Sequence, residues 1–226
     1  MKEALVIFAK APIPGQVKTR LIGTLTAEQA MELYVCFLKD TFALMEEVQE
    51  EREYLSLILC YSPPEELEAF EVVDLDGCLM LAQRGGDLGE RLQNCFIDLA
   101  ELGFTATVII GADSPSLPPE IIIEAFEHLE KRKPIVVGPA TDGGFYLIGM
   151  DKVHPQILEK MDWDTENTLS QLKNRAGHSK FEITLLPEWY DVDTPADLEH
   201  LRLEIKAEKI NPKNTGRYLR KTLKPS

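Results

Sequence analysis

Three cations and no acid lie in one short stretch near the start of this chain. Lys10, Lys18 and Arg20 occur within residues 4–27, which contain no aspartate or glutamate, although the whole sequence has a net charge of −14. Positive side chains grouped on one loop are what a nucleoside di- or triphosphate needs, because they create a local positive field in an acidic protein. The alternative is an ordinary solvated basic loop, and this stretch alone does not decide between the two.

Carboxylates suited to a metal ion occur at two distant places in the sequence. Asp113 directly follows an apolar run, whereas Asp191 and Asp193 precede the last helical pattern before the basic tail. Mg²⁺ binds through one or two carboxylates together with substrate phosphates and water. We therefore expect these aspartates to hold Mg²⁺ or Mn²⁺ on one side of a pocket, with the cations opposite and a pyrophosphate between them. The structural alternative is helix capping by Asp193 or Thr194, which leaves Asp191 without a role.

Two glycine-rich segments allow the backbone to approach a ligand closely. Residues 83–91 form a turn that leads into a helix, with three glycines in five positions and with Asp87 and Arg91 beside them. Both side chains could instead have a structural role, since Asp87 suits a helix cap and Arg91 suits an exposed helix face. Residues 142–144, Asp-Gly-Gly, favour a hairpin turn between two strands.

The elements that position these residues alternate between apolar strands and amphipathic helices. Residues 4–9 are typical of a strand buried on both faces, and we expect this strand to be central. Six further strands are predicted at residues 54–61, 78–82, 105–111, 135–138, 145–149 and 181–186. The pattern predicts an α/β protein with a mostly parallel central sheet and helices on both faces. Because open α/β sheets bind ligands at the carboxyl ends of their strands, the basic loop and Asp113 should meet at one edge.

Size and charge limit the classes of protein to which the chain can belong. Its 226 residues predict one domain over residues 1–210, followed by a basic tail over residues 211–226. The tail is either a solvated end or an arm that lies on the acidic body of this subunit or of a neighbouring one. An arm on a neighbouring subunit would make the protein a homo-oligomer, and the sequence does not decide between these alternatives. The net charge of −14 argues against nucleic acid or an anionic membrane as a partner. We expect a cytoplasmic protein, since the sequence has no signal-peptide pattern, no bilayer-spanning stretch and only four scattered cysteines.

Five motifs resemble a known family. They are, in chain order, FAKAPIPGQVKTRL, LGERL, IGADSPSL, GPATDGGFYLIG and YDVDTPADL, and the resemblance extends over residues 4–203. The combination is similar to the CofC-like, rSAM/selenodomain-associated transferases of the nucleotide-diphospho-sugar transferase superfamily. That superfamily has the GT-A fold, with a three-layer Rossmann-like arrangement, and includes 2-phospho-lactate guanylyltransferases, molybdenum-cofactor nucleotidyltransferases and sugar-nucleotide pyrophosphorylases.

The resemblance implies a role for each matching residue. Lys18, Arg20 and Asp113 would be the catalytic residues, the two cations on the nucleotide phosphates and the aspartate as a metal ligand. Asp193, or alternatively Asp191, would supply the second carboxylate to the metal. The nucleotide side is implied to include, in addition, Lys10, Gly15, Gly85, Asp87, Gly89 and Arg91. The acceptor side is implied to consist of Asp142, Gly143, Gly144 and Tyr146.

The loop of residues 10–15 differs from its counterparts in this fold. Typical nucleotidyltransferases have a glycine-rich loop followed by an arginine and a lysine, whereas this chain has Pro12 and Pro14, which donate no backbone hydrogen bonds.

Three functions are weighed for this set of residues. The leading one is an Mg²⁺-dependent nucleotidyltransferase, in which an oxygen of a small hydroxylated or phosphorylated acceptor attacks the α-phosphorus of a nucleoside triphosphate. The others are a glycosyltransferase that uses a nucleoside diphosphate sugar and an inactive nucleotide-binding module.

Overall fold

The computed structural model describes residues 2–163 and 165–222, which form a seven-stranded sheet with helices on both faces. The strands are β1 Glu3–Lys10, β2 Leu55–Ser62, β3 Leu79–Ala82, β4 Ala106–Gly111, β5 Ile135–Pro139, β6 Phe145–Met150 and β7 Ile183–Leu185. The α-helices are α1 Ala27–Glu50, α2 Leu88–Glu101, α3 Pro119–Glu130, α4 Pro155–Leu158, α5 Thr168–His178, α6 Pro195–Lys206 and α7 Lys213–Thr222. Two 3-10 helices span Thr19–Leu21 and Pro64–Val72. No helix in these described ranges is both long and apolar enough to cross a bilayer.

The sheet places β1 and β4 side by side at its centre. The strand order is β3-β2-β1-β4-β6-β5-β7, and neighbours are parallel except that β6 runs antiparallel to β4 and β5. All seven predicted strands are present, and the α/β class with a mostly parallel sheet is confirmed. The Asp-Gly-Gly turn joins β5 to β6 as a hairpin, as predicted. Because β6 is reversed, it begins at the same edge of the sheet at which β1, β4 and β5 end.

Alternate residues of β1 enter two separate apolar cores. Leu5 and Ile7 pack with residues of α1 and α3, whereas Ala4 and Val6 pack with residues of α2, α4 and α5 on the opposite face. Successive side chains of a strand point to opposite faces, so a strand covered on both faces needs apolar residues throughout. This explains the uninterrupted apolar run that marked β1 in the sequence.

A third apolar cluster fixes two loops at the carboxyl edge of the sheet. Leu21 and Leu25, which follow the basic loop, pack with Val192 and with Leu198 of α6. This packing brings the chain near residue 18 next to the chain near residue 193, although 175 positions separate them. The relative placement of the predicted cations and carboxylates is therefore set by apolar contacts.

Part of the basic tail forms a helix that the sequence did not predict. Helix α7 packs on α1, where the buried carboxylate of Asp40 accepts hydrogen bonds of 2.8 Å from the backbone N–H groups of Asn214 and Thr215. Leu219 enters the third apolar cluster. The tail has too few apolar residues for a periodic signal, and a cap supplied by a distant aspartate cannot be recognised from the local sequence. Residues 223–226 of the tail lie outside the described residues.

Candidate active site

A cleft of about 1020 Å³ opens at the carboxyl edge of the sheet, where β1 and β4 end and β6 begins. The predicted site residues that line it are Lys10, Lys18, Arg20, Asp87, Arg91, Asp113, Asp142, Gly144, Tyr146, Asp191 and Asp193. The predicted residues that the structure describes but that do not line it are Gly15, Gly85, Gly89 and Gly143. The fold thus gathers charged side chains from six separate parts of the chain into one space.

Lys18 is the buried centre of a charged cluster in this cleft. Its ammonium nitrogen Nζ donates hydrogen bonds of 2.9 Å to the carbonyl of Val192 and to Oδ1 of Asp193, and it forms an ion pair with Asp113. Only 3% of the side chain is exposed. The backbone has φ 47° and ψ 39°, a left-handed conformation that costs a residue other than glycine about 1 kcal/mol. The contacts of the side chain offset that cost.

The position of Lys18 differs from the one expected from the sequence. We predicted this lysine across a pocket from the aspartates, whereas its ammonium lies between the carboxylates of Asp113 and Asp193. The apolar packing of Leu21 against Val192 draws the two loops together, so the lysine reaches the carboxylates directly. Arg20, only two residues further along, is exposed and lines the cleft.

The two carboxylates are positioned by the backbone of their own segments. Asp113 lies just beyond β4, and its carbonyl accepts a hydrogen bond of 2.9 Å from the backbone N–H of Val192. Thr194 and Asp197 form a capping box at the start of α6. The N-cap of α6 is therefore Thr194, and the carboxylate of Asp193 is left to bind Lys18.

Burial and mutual charge change the proton affinities in this cluster. Burial lowers the pKa of the Lys18 ammonium, but the carboxylates of Asp113 and Asp193 outweigh this effect, so its pKa lies above the usual value. Burial, followed by the negative charge of Asp113, raises the pKa of Asp191 to about 7. Asp191 also accepts a hydrogen bond from the hydroxyl of Ser114. Lys18 therefore remains charged, while Asp191 is partly protonated at neutral pH.

The donor groups fit a hard divalent cation that also binds phosphate. Asp113 and Asp193 contact the same nitrogen atom, so their oxygens lie close enough to share one cation, and their side chains are 42% and 40% exposed. Within residues 2–163 and 165–222, no group of three or more acidic, cysteine or histidine side chains is arranged to hold a metal ion. The protein would supply two carboxylates, with substrate phosphates and water completing the coordination shell, which is the arrangement that Mg²⁺ prefers.

Three further cations of the cleft are available to an anion. Lys10, Arg20 and Arg91 form no ion pair with any residue that the structure describes. Lys10 and Arg20 are exposed, and Arg91 donates to the carbonyl of Gly85 at 3.2 Å and to Oε1 of Gln83 at 3.4 Å. Because neutral groups hold Arg91 in place, its positive charge remains free to attract phosphate.

The glycine-rich segment before α2 shapes the wall that carries Arg91. Asp87 is the N-cap of α2 and accepts a hydrogen bond of 2.8 Å from the backbone N–H of Glu90. Gly89 allows close packing of Trp163, because a Cβ at this position would lie 2.7 Å from atoms of that ring. These contacts give Asp87 and Gly89 structural tasks, and their predicted part in nucleotide binding stays a prediction.

The β5–β6 hairpin forms another wall of the cleft. Asp142 accepts a hydrogen bond of 2.9 Å from the backbone N–H of Gly144, and Gly143 has φ 91° and packs closely on the backbone of Glu166. The hydroxyl of Tyr146 donates to the carbonyl of Pro187 at 2.6 Å. That hydroxyl is therefore part of the protein's own hydrogen bonding, and the roles predicted for these residues in acceptor binding stay predictions.

The sequence reasoning missed a segment that completes this wall. Trp163, Thr165, Glu166 and Thr168 line the cleft, and Trp163 meets Phe145 edge to face with ring centroids 6.3 Å apart. Trp163 lies outside any regular pattern, and the other three residues belong to a weak helical pattern over residues 165–176, so periodicity indicated a helix and not a site. The signal available in the sequence is a tryptophan in a polar stretch, which does not by itself indicate a binding site.

Comparisons with known proteins agree with this fold. Residues 24–165 match a family described as "Uncharacterized protein conserved in bacteria (DUF2064)". No curated protein matches the sequence significantly. A solved structure from Desulfovibrio desulfuricans G20, provisionally described as a nucleotide-diphospho-sugar transferase, is 30% identical with a TM-score of 0.83. The match covers 97% of this chain and 94% of that chain.

More distant structures share the fold alone. CMP:2-keto-3-deoxy-manno-octonic acid synthetase complexed with CTP is 14% identical, with a TM-score of 0.54 over 92% of this chain and 100% of that chain. Rv0371c from Mycobacterium tuberculosis H37Rv, in a complex with manganese, is 15% identical, with a TM-score of 0.51 over 89% of this chain and 98% of that chain. The family match and the 30% identity over nearly the whole chain show that this protein belongs to the DUF2064 family, within the nucleotide-diphospho-sugar transferase superfamily.

Proposed function

We propose that the protein is a divalent-metal-dependent nucleotidyltransferase that transfers a nucleotide from a nucleoside triphosphate to a small acceptor and releases pyrophosphate. The observation that carries the proposal is the charged cluster in the cleft, where Lys18 joins Asp113 and Asp193. A metal-bound triphosphate has the complementary charges, since its cation suits the aspartates and its phosphates suit the lysine and the exposed arginine beside it. Within the superfamily, the CofC-like subfamily is the one that the sequence motifs resemble.

The mechanism requires positioning and charge stabilisation rather than a nucleophilic side chain. An acceptor oxygen forms a bond to the α-phosphorus while the bond from that phosphorus to the bridging oxygen breaks, and pyrophosphate leaves with the electron pair. Asp113 and Asp193, with Asp191 as the alternative, would hold Mg²⁺ or Mn²⁺, which supplies positive charge at the phosphates when bound. Lys18 and Arg20 stabilise the negative charge that develops on the leaving pyrophosphate.

The charges of the two walls favour opposite ends of the reaction. Lys10 and Arg91 are cations without a carboxylate partner in the described chain, so we assign their side of the cleft to the nucleotide. The hairpin side carries Asp142 and Glu166 and, among the lining residues that the structure describes, no cation. Negative side chains repel phosphate, so this wall favours a hydroxylated acceptor over a phosphorylated one.

The test is to incubate the protein with Mg²⁺ or Mn²⁺, each common nucleoside triphosphate or nucleoside diphosphate sugar, and a panel of hydroxylated acceptors. We expect pyrophosphate release that requires the metal and is lost in Asp113→Asn. Asp76→Asn is the matched control, because Asp76 is exposed and lies outside the cleft. Metal-dependent nucleotide binding without release of any product across the panel would instead show an inactive binding module.

A glycosyltransferase that uses a nucleoside diphosphate sugar is the second candidate. One observation favours it: Pro12 and Pro14 remove backbone donors that a triphosphate would use. In that reaction the bond from the anomeric carbon to the diphosphate oxygen breaks, and the nucleoside diphosphate leaves. Release of nucleoside diphosphate, with no pyrophosphate from any triphosphate, would favour this candidate over the first.

Two further expectations extend the proposal. A cytoplasmic location is supported by the cysteines, since Cys36, Cys60, Cys78 and Cys95 are all free thiols and disulfides are rare in the cytosol. Fractionation of cells that express the native protein tests the location. One domain over residues 1–210 stays a proposal as well, and limited proteolysis that finds no stable smaller fragment would support it.

A further inference from the structure

Lys18 occupies the place between two carboxylates that a metal ion would share. Three acceptors surround its ammonium nitrogen: the carboxylate of Asp113 and, at 2.9 Å each, Oδ1 of Asp193 and the carbonyl of Val192. An ammonium group has three protons to donate, so these acceptors satisfy all of them. A metal ion bound to the same two carboxylates would therefore lie close to the ammonium and be repelled by it.

Removing the ammonium from this place is unfavourable unless another anion receives it. The Lys18 side chain is almost completely buried, and an unpaired buried cation is strongly destabilising. The loop cannot carry the lysine into water, because the neighbouring Val17 and Leu21 are buried in apolar clusters. Lys18 does line the cleft, so rotation of its own side chain offers a route to a ligand bound there.

The charges of the cluster also indicate that a metal ion needs an accompanying anion. With one positive and two negative charges, Lys18, Asp113 and Asp193 carry a net charge of −1, so a divalent cation added to them leaves an excess of one positive charge. A di- or triphosphate removes this excess and also accepts the displaced ammonium. Binding of the metal therefore favours binding of the phosphate, and binding of the phosphate favours binding of the metal.

We infer that Lys18, in addition to its proposed contact with the phosphates, excludes a free divalent cation from Asp113 and Asp193 and admits it together with a phosphate ligand. The inference rests on the proposed function, since it takes these two aspartates as the metal ligands. The metal and the phosphate ligand bind with positive coupling, and each raises the affinity for the other by the same factor. A protein of this kind takes up the metal–nucleotide complex rather than the metal first.

The test measures binding of Mn²⁺ alone to the full chain by electron paramagnetic resonance of the unbound ion. Lys18→Met leaves the two carboxylates without their cation, so it should bind Mn²⁺ at least about tenfold more tightly than the wild type. Lys10→Met is the matched control, because it removes an exposed cation from the same cleft that has no carboxylate partner among the described residues. Its Mn²⁺ affinity should stay close to that of the wild type.

A second measurement adds a CTP analogue in which a methylene group replaces the oxygen between the α- and β-phosphorus atoms. The wild type should gain Mn²⁺ affinity with the analogue, and Lys18→Met should gain much less. Equal Mn²⁺ affinity of the wild type and Lys18→Met without nucleotide overturns the inference. No Mn²⁺ binding by any of these proteins, with or without the analogue, overturns the metal-dependent function itself. Circular dichroism establishes folding, and Lys18→Gln, with the same expected direction, replaces Lys18→Met if the latter does not fold.

Discussion

Two ion clusters of the same composition lie at opposite edges of the sheet. At the amino end of β1, Arg52 binds Glu3 through hydrogen bonds of 2.8 and 2.7 Å and also contacts Glu130. Its guanidinium lies 5.0 Å from the centre of an aromatic ring. At the carboxyl edge, Lys18 contacts two aspartates and lies 5.3 Å from the centre of another aromatic ring. Each cluster combines one cation, two carboxylates and a ring.

The two clusters differ in which partner faces the solvent. Both oxygens of Glu3 bind Arg52, and that carboxylate is buried beside a small hollow of about 250 Å³. In the other cluster the cation is buried, and Asp113 and Asp193 are partly exposed to a cleft of about 1020 Å³. Composition alone therefore does not distinguish a structural ion cluster from a candidate site. Acceptor oxygens left open to a cleft large enough for a nucleotide make the difference.

The two clusters should differ most in how a substitution changes the activity. Asp113→Asn should lower the metal-dependent rate of product release by about 10²–10³-fold, because it removes one of the two carboxylates that would hold the metal. The free energy of unfolding should fall by less than about 3 kcal/mol, because the buried Lys18 keeps Asp193 as a partner. Initial rates and urea denaturation measure the two quantities. A variant with the full wild-type rate would exclude Asp113 from the reaction.

Substitution in the cluster of Glu3 and Arg52 should change the stability and leave the activity unchanged. Glu3→Gln should lower the free energy of unfolding by about 3 kcal/mol, because it leaves Arg52, whose side chain is 12% exposed, without its main partner. The rate per folded molecule should equal that of the wild type. Urea denaturation and rates corrected for the folded fraction test this. Unchanged stability would show that the cluster does not hold the amino edge together.

The raised pKa of Asp191 makes the stability of the protein depend on pH. In the folded protein the pKa of Asp191 is raised to about 7, so between about pH 4 and pH 7 the folded chain retains a proton that the unfolded chain releases. The wild type should therefore lose stability relative to Asp191→Asn as the pH rises through this window, by more than about 1 kcal/mol. Urea denaturation at pH 5 and pH 7.5 measures the difference. Asp142→Asn, which changes an exposed aspartate, should show no such trend.

Glu130 tests whether the exposure of a carboxylate decides how much its ion pair contributes to stability. Glu130 contacts the same arginine as Glu3, but its side chain is 45% exposed. Glu130→Gln should therefore lower the free energy of unfolding by less than about 1 kcal/mol. The same denaturation experiment compares it directly with Glu3→Gln. Equal losses from the two variants would contradict the explanation by burial.

Local patterns predicted most of the fold. Apolar runs between turn signals marked every strand, and the Asp-Gly-Gly turn indicated the hairpin that reverses β6. Helix α7 was missed, because its cap is Asp40, distant in the sequence, and its apolar contact is Leu219 alone. Periodicity detects an element whose own residues carry the signal, whereas this helix depends on groups that tertiary structure provides.

The charged groups and the sheet edge expected for the basic loop and Asp113 could be read from the sequence, because apolar runs and turn signals mark where the strands before them end. How those groups pair with one another depends on the tertiary structure. The lysine expected opposite the aspartates lies between them, because Leu21 and Val192 pack together across a large separation in the sequence. Apolar contacts of this kind are not directional, so no residue spacing announces them. The same packing decided which carboxylates remain open to the cleft.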